Sequence, residues 1–521
     1  MDTSEKTAHC YSTRAYGCNR LRSSLLPSLG LLVLIVFPLF AQSERPNIVV
    51  IFADDLGYGD IGCYNPESRI PTPHIDNLAS EGIRFTDAHS ADSVCTPSRY
   101  GLLTGRYSWR GKLKTGVLFN WEPPLIEADR MTLASLLKTN GYRTAISGKW
   151  HLGLGFTAKP GKDVNFEQVL PWSGGPEPDR AISESIDLSA PILGGPEELG
   201  FDEAFYTAGC STDQEPFCFI ENKLMLDMEE ASYRTPHGSW RSGMASPSWV
   251  NEPVDIRFTD WAIDFIEASH NENPTQPFFL YLPLSSPHSP HVTVEFAHGK
   301  SEAGTRGDMV WLVDWVTGQI MAKLDELGLS DNTLIIVTSD NGPLIGSLEF
   351  GKPEGTAKVS NGHKSMGNLR GQKGRVWEAG HRVPFVVRWP KLIPQGLVSD
   401  YSFCFTDFLA TFADLLGENI PADAGEDSFS ILPALLGNPM DERPPIIHHS
   451  NWTYAMRSGK WKIVFGEGDN RVRAKDGHGY LFNLDVDPYE KRDLWKDRPD
   501  VVERLTREFE TITEKGIYPK S

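Results

Sequence analysis

The sequence predicts an α/β protein: a large mixed, mostly parallel sheet flanked by helices, followed by a smaller C-terminal α+β domain. Three observations predict it. Short apolar, β-branched or aromatic runs alternate with helix-like segments, the pattern of strand–helix units. Four of those runs stop at, or lead into, polar residues on their carboxyl-terminal side, where open α/β sheets bind ligands. After Pro439 the pattern changes to short strand-like pieces with turn residues between them.

The chain has 521 residues, 40% hydrophobic and 23% charged, enough for a large buried core. Its 69 acids against 50 Lys and Arg give a net charge of −19. That balance argues against general nucleic-acid binding, which needs a basic face. An anionic substrate requires local Lys and Arg to overcome it.

Residues 1–43 read as an export signal. Arg14, Arg20 and Arg22 precede the apolar run 25–40, and Ala41-Gln42-Ser43 supplies a cleavage site. Pro27 and Pro38 interrupt the run, which is short for a spanning helix; an uncleaved anchor is the alternative. No other stretch is apolar enough to span. The mature chain is therefore expected to be exported, secreted or periplasmic, with no stable membrane insertion. Cleavage leaves five of seven cysteines, Cys63, Cys95, Cys210, Cys218 and Cys404. An odd count leaves one thiol unpaired; Cys210 and Cys218 are close enough to pair around a short loop.

A main domain is expected over 44–440. Its first run, 47–53 (NIVVIFA), ends at Asp54-Asp55, and 142–147 (YRTAIS) ends at Gly148-Lys149-Trp150-His151. Run 277–284 (PFFLYLPL) leads to His288, and 334–339 (LIIVTS) ends at Asp340-Asn341-Gly342. Near-continuous apolar runs of this length are strands covered on both faces. Segments 131–140, 254–269 and 307–327 have helical character. Residues 383–388 (VPFVVR) form a further short strand. Residues 401–416 have helical period with Gly417 as a stop. A C-terminal domain over 441–521 carries strand-like pieces in 446–486 and a polar helix at 500–513. Two long loops, 160–175 and 347–365, are placed to shape an entrance.

Adjacent acids at a strand end repel one another and need compensation. A hard divalent cation held by oxygen atoms supplies it, and Asp54, Asp55, Asp340 and Asn341 offer such atoms. Either motif alone reads equally as a turn. Cys95 precedes Pro97, a residue suited to a helix start. It therefore sits where helix N–H groups favour an anion, with Arg99 one turn further on. A nucleophilic thiolate and a buried or disulfide-bonded cysteine both fit that position.

Cys95-Thr96-Pro97-Ser98-Arg99, followed by Leu103-Thr104-Gly105-Arg106, resembles the signature of the type I sulfatases. Segments 141–153 (GYRTAISGKWHLG), 53–60 (ADDLGYGD), 338–342 (TSDNG) and 371–390 resemble further blocks of that family, in family order, as does the tail 481–494. The resemblance implies an alkaline-phosphatase-like fold and a secreted, arylsulfatase-like sulfuric ester hydrolase. It implies that a formylglycine-generating enzyme converts Cys95 to 3-oxoalanine, whose hydrate attacks sulfur and then releases sulfate by elimination. It also implies one divalent cation, Ca²⁺, on Asp54, Asp55, Cys95, Asp340 and Asn341. Arg99 then orients the modified residue, Lys149 and Lys373 neutralise sulfate oxygens, and His151 assists the diol. His288 serves the leaving oxygen, with His291 as its rival, and Ser211 matches a further substrate contact. The expected partner is a sulfated small molecule or saccharide. The alternatives are a phosphate- or phosphonate-ester hydrolase on the same fold and a non-catalytic binder of sulfated glycans.

Three weaker signals remain. Asn451-Trp452-Thr453 fits a glycosylation pattern. His448-His449 reads as a turn or as a metal or substrate contact. The glycines of GTRGD (304–308) and GKPEG (351–355) read as loop punctuation.

Overall fold

The computed structural model describes residues 45–166, 180–344, 360–450, 453–466, 478–516 and 518. The export segment, the Asn451-Trp452 pair, the GKPEG glycines, and residues 167–175 and 347–359 of the two long loops lie outside the described residues.

In chain order the main strands are β1 (Asn47–Ala53), β2 (Ile83–His89), β3 (Arg143–Lys149), β4 (Glu203–Thr207), β5 (Ile220–Glu221) and β6 (Leu224–Met225). A separate ribbon pairs β7 (Ser232–Arg234) with β8 (Gly243–Ala245). The main sheet continues with β9 (Phe278–Pro283), β10 (Thr333–Ser339), β11 (Arg382–Arg388), β12 (Leu397–Ser399) and β13 (Phe403–Cys404). Across the sheet the order is β12-β2-β11-β10-β1-β9-β3-β4-β5-β6, with β13 also on β2. The five strands β10, β1, β9, β3 and β4 are parallel, and β11 runs antiparallel between β10 and β2. The mixed, mostly parallel sheet is as expected.

The apolar runs have no polar face because helices cover both sides of the sheet. Ile48, Val50 and Phe52 point into one core, built with α2 (Cys95–Thr104), α3 (Leu133–Thr139) and the helix Phe408–Leu416. Val49, Ile51 and Ala53 point into the other, built with α1 (Pro73–Ser80), α5 (Val254–Glu272) and α6 (Gly304–Glu326). A one-turn α4 (Arg180–Ser183) precedes β4. No described helix is long and apolar enough to cross a membrane.

Three readings are corrected. The segment 401–416 is not helical throughout: Phe403–Cys404 pairs with β2 before the helix starts at Phe408, because a strand edge is available there. The glycines of GTRGD open α6 rather than punctuate a loop. His448-His449 is no turn; both lie buried in β14 (Ile446–Ser450). That strand heads an antiparallel sheet with β15 (Thr453–Ser458), β16 (Trp461–Val464) and β17 (Tyr480–Asn483). The helix Pro499–Lys515 is polar only on its outer face; Val501, Leu505 and Ile512 are buried against this sheet.

The five described cysteines are all free thiols, so Cys210 and Cys218 do not pair. Cys218 belongs to the apolar core, whereas Cys210 faces polar partners described below.

Candidate active site

The parallel strands end in register. Ala53 pairs with Ser339 and Phe52 with Pro283, so the residues that follow them emerge side by side. Asp340 N donates to Ala53 O at 3.0 Å and Asp54 N to Ser286 O at 3.0 Å. Asp55 (φ 69°) and His151 (φ 56°) are non-glycine residues in the left-handed region, a strained geometry that often marks functional sites. Gly148 is required by close approach: a Cβ there would meet Pro283 O at 2.0 Å. The glycine of Asp340-Asn341-Gly342 has a similar cause, since its Cβ would lie 1.7 Å from Ala379 O.

Cys95 opens α2, and every residue of that helix is buried. Its Sγ lies 3.5 Å from Asp54 Oδ1. Arg99, one turn on, donates to Asp340 Oδ2 at 2.8 Å and to Lys149 O at 3.0 Å, and stacks over Phe52. Lys149, fully buried, pairs with Asp54 Oδ2. Lys373 lies 2.7 Å from Asp55 Oδ1. Two backbone bonds fix its loop: Lys373 N to Pro343 O at 3.0 Å and Gly374 N to Ser93 O at 2.7 Å. His288 Nε2 approaches Asp55 Oδ2 at 3.9 Å.

The two histidines are driven apart electrostatically. Burial, then the Lys149 charge, pushes His151 down to about 4. Its Nε2 lies 2.8 Å from the carbonyl of Leu118, an acceptor, so Nε2 carries the proton and Nδ1 is an acceptor, 3.9 Å from Cys210 Sγ. Burial and Lys373 work against charge on His288, but Asp54, Cys210 and Asp55 hold it well above the ordinary imidazole range. Burial likewise opposes charge on Lys149, yet Asp54 and Cys210 keep its ammonium.

The donor set fits a hard cation. Burial, with the charges of Asp54 and Cys95, pushes the Asp340 carboxyl well up. Asn341 Nδ2 donates to Asp55 Oδ1 at 2.7 Å, while Asn341 Oδ1 is buried with no partner. One donor atom each from Asp54, Asp55, Cys95 and His288 lies within 4.8 Å of the others. A dication accepting oxygen atoms here would quench like charge and satisfy the orphaned amide oxygen.

A cavity of about 60 Å³ opens over this group, lined by Cys95, His151, Cys210, His288 and Lys373 among others. On such a measure one water takes about 10–15 Å³, so the space suits a small tetrahedral oxyanion. Of the two rival histidines it is His288, not His291, that lines it. Ser211 does not; its hydroxyl pairs with Thr207 Oγ1 at 2.7 Å.

Several residues here escaped sequence reasoning. Cys210 lines the cavity, and the Asp213–Arg241 ion pair, at 2.8 Å, stands at its wall. Asp255 on α5 accepts from Ser285 N at 2.7 Å and Ser286 N at 2.9 Å, fixing the approach to His288. Arg306 on α6 donates to Asp55 O at 2.8 Å while paired with Asp60. None carries a local signal beyond its residue type.

Residues 46–418 match the sulfatase family profile. The chain is similar to an N-acetylgalactosamine-6-O-sulfatase of Bacteroides thetaiotaomicron, 34% identical over 515 residues, which cover 90% of this chain and 94% of that protein. It is similar to human arylsulfatase A, 32% identical over 434 residues, covering 82% of this chain and 76% of that one. A solved sulfatase structure from the same Bacteroides, concerned with its metabolism of multiple glycosaminoglycans, superimposes with a TM-score of 0.76 at 32% identity. That match covers 91% of this chain and all of the other.

Proposed function

This chain belongs to the sulfatase family, hydrolases of sulfuric esters, and from that premise we propose that it is an exported sulfatase removing sulfate from a saccharide O-sulfate through a modified Cys95. One observation carries the reading. Cys95, Lys149, His151, His288 and Lys373, contributed by separate segments of the fold, line or adjoin a single cavity beside a buried carboxylate cluster. The saccharide class is supported by the carbohydrate sulfatase at 34% identity.

Asp54, Asp55, Asp340 and Asn341, with residue 95, would hold Ca²⁺, which when bound supplies positive charge to the sulfate oxygens and to an ionising hydroxyl. A formylglycine hydrate at position 95 supplies a nucleophilic hydroxyl and a second one that allows sulfate release. The remaining work belongs to this chain's side chains. Lys149 and Lys373 face the charge that builds on the transferring group. His151, neutral with Nδ1 unprotonated, takes a proton from the residue-95 hydroxyls. His288, held protonated, gives one to the leaving alcohol. Two titratable groups pushed in opposite directions are the usual mark of a base and an acid. Arg99 holds Asp340 and the Lys149 carbonyl and so fixes the distance between β3 and α2.

The test is made on enzyme from a host with the modifying activity. The peptide containing position 95 should be about 18 Da lighter than its thiol form, by replacement of SH₂ with O. Inorganic sulfate should be released from at least one member of a panel of sulfated sugars. Phosphate release from matched phosphate or phosphonate esters at a higher kcat/KM would favour the other hydrolase. A peptide that keeps its thiol mass, with no release of either anion, would leave a binder.

A further inference from the structure

We propose that Cys210 is a positioning residue of this cavity, its sulfur holding the Lys149 ammonium and the imidazoles of His151 and His288 at fixed separations. The proposal rests on the reading of the cavity as a sulfate-ester site. Cys210 Sγ lies 3.3 Å from Lys149 Nζ, 3.9 Å from His151 Nδ1 and 3.9 Å from His288 Nε2. It thus touches the cation, the base and the acid together, and it lines the cavity beside Cys95.

The backbone around it is built to aim it. Cys210 N donates to Gln214 Oε1 at 3.0 Å, and Asp213 N and Gln214 N donate back to Cys210 O at 3.0 and 2.9 Å. This closed turn follows β4, whose Thr207 pairs with Lys149 at the end of β3. Lys149 at the end of β3 and Cys210 in the turn just past β4 are therefore carried by neighbouring parallel strands.

Sulfur suits the task. Lys149 Nζ is held between Asp54 Oδ2 and Cys210 Sγ. A lysine ammonium on its flexible stem needs such restraint to stay in one place. A thiol sulfur is a weak acceptor, so it restrains the ammonium without outbidding a sulfate oxygen for it. A serine oxygen can still accept from Lys149; an alanine leaves a gap and no acceptor.

Position also makes Cys210 a target. Once Cys95 is converted, Cys210 is the described thiol that lines the cavity; Cys218 and Cys404 are buried away from it, and burial pushes the half-buried Cys63 up to about 12. Iodoacetamide should then react at Cys210. Its sulfur forms a bond to the methylene carbon, the carbon–iodine bond breaks, iodide leaves and the thiol proton goes to solvent. The added amide fills the cavity.

The experiment uses the mature enzyme, its Cys210→Ser and Cys210→Ala variants, a sulfated substrate, and peptide mapping after iodoacetamide with and without inorganic sulfate. Cys210→Ala should lose kcat by about 10-fold or more with a smaller change in KM, the signature of a misplaced group. Cys210→Ser should recover most of that loss. Alkylation should fall on Cys210 and abolish wild-type turnover, sulfate should slow it, and the Ser variant should be resistant. Wild-type kcat and KM in Cys210→Ala, or labelling of Cys210 unaffected by sulfate, overturns the proposal. A modified wild-type enzyme that releases no sulfate overturns the functional reading instead; sulfate protection then still decides whether Cys210 sits in an anion pocket.

Discussion

At the scale of single residues, position 95 and position 288 divide the proposed chemistry. Cys95 occupies a helix start and lies against a carboxylate rather than in the middle of an apolar core. Cys95→Ala should therefore leave the melting temperature within a few degrees of wild type. It should lower sulfate release by on the order of 10⁴-fold or more, as loss of a covalent nucleophile does. His288 is different, because protonating a leaving oxygen matters in proportion to how poor that leaving group is. His288→Ala should cost about 10²–10⁴-fold on a saccharide sulfate and much less on a nitrophenyl sulfate. An equal loss on both substrates would remove the acid role.

At the scale of elements, the ends of β1 and β10 hold the carboxylates together only if their charge is quenched. Incubation with EDTA should lower both activity and melting temperature, and added Ca²⁺ should restore both. Asp340→Ala should need more Ca²⁺ for the same activity. A second element contact sets a pH dependence. Asp314 on α6 is buried and accepts from Ile75 N of α1 at 2.8 Å. Burial pushes its carboxyl up to about 7, with Asp76 adding to the rise. An acid raised in the folded state favours folding fully below its unfolded value, and that contribution is lost as pH climbs through the folded one. Thermal stability should thus fall between about pH 4 and pH 7 on account of this group. Asp314→Asn should flatten that segment and gain a few degrees at pH 8, checked by melting curves across the range.

At the scale of the whole molecule, the C-terminal sheet is tied to the helix that carries Cys95. One core joins Ala91, Tyr107 and Trp109, which flank α2, to Ile446, Met456 and Ile463 of the small sheet and to Leu505 of the last helix. Leu505→Ala, at a fully buried position, should cost about 2–5 kcal/mol. Because the core is shared, tryptophan fluorescence and activity should be lost in one transition during urea unfolding. Two separated transitions would show that the small sheet melts alone. The net charge of −19 acts at this scale too. It disfavours a densely sulfated polymer relative to a mono- or oligosaccharide sulfate.

How much of this was legible in the chain follows from how local each signal is. Asp54-Asp55, Lys149, His288 and Asp340-Asn341 each follow an apolar run, and a parallel sheet must bring such ends together. Their meeting was therefore readable from period and punctuation alone, and the family of the Cys95 segment from its motif. What pairs with what was not readable. Cys210 and Cys218 looked like partners because they are close in sequence. The chain between them sends one sulfur into the cavity and the other into the core. Ser211 matched a motif, yet the geometry after β4 gives the cavity to its neighbour. His448-His449 carried turn-like polarity, but β14 is covered by His381 on one side and accommodates both rings. The sequence by itself determined the layered sheet and the set of residues at its carboxyl edge, because hydrophobic period and strand direction are properties of short segments. Only the tertiary structure decided which thiol faces Lys149, which histidine is neutral and which charged, and what Asp255 and Arg306 hold in place. Those depend on burial and on charges that residues far apart in the chain bring to within a few ångströms.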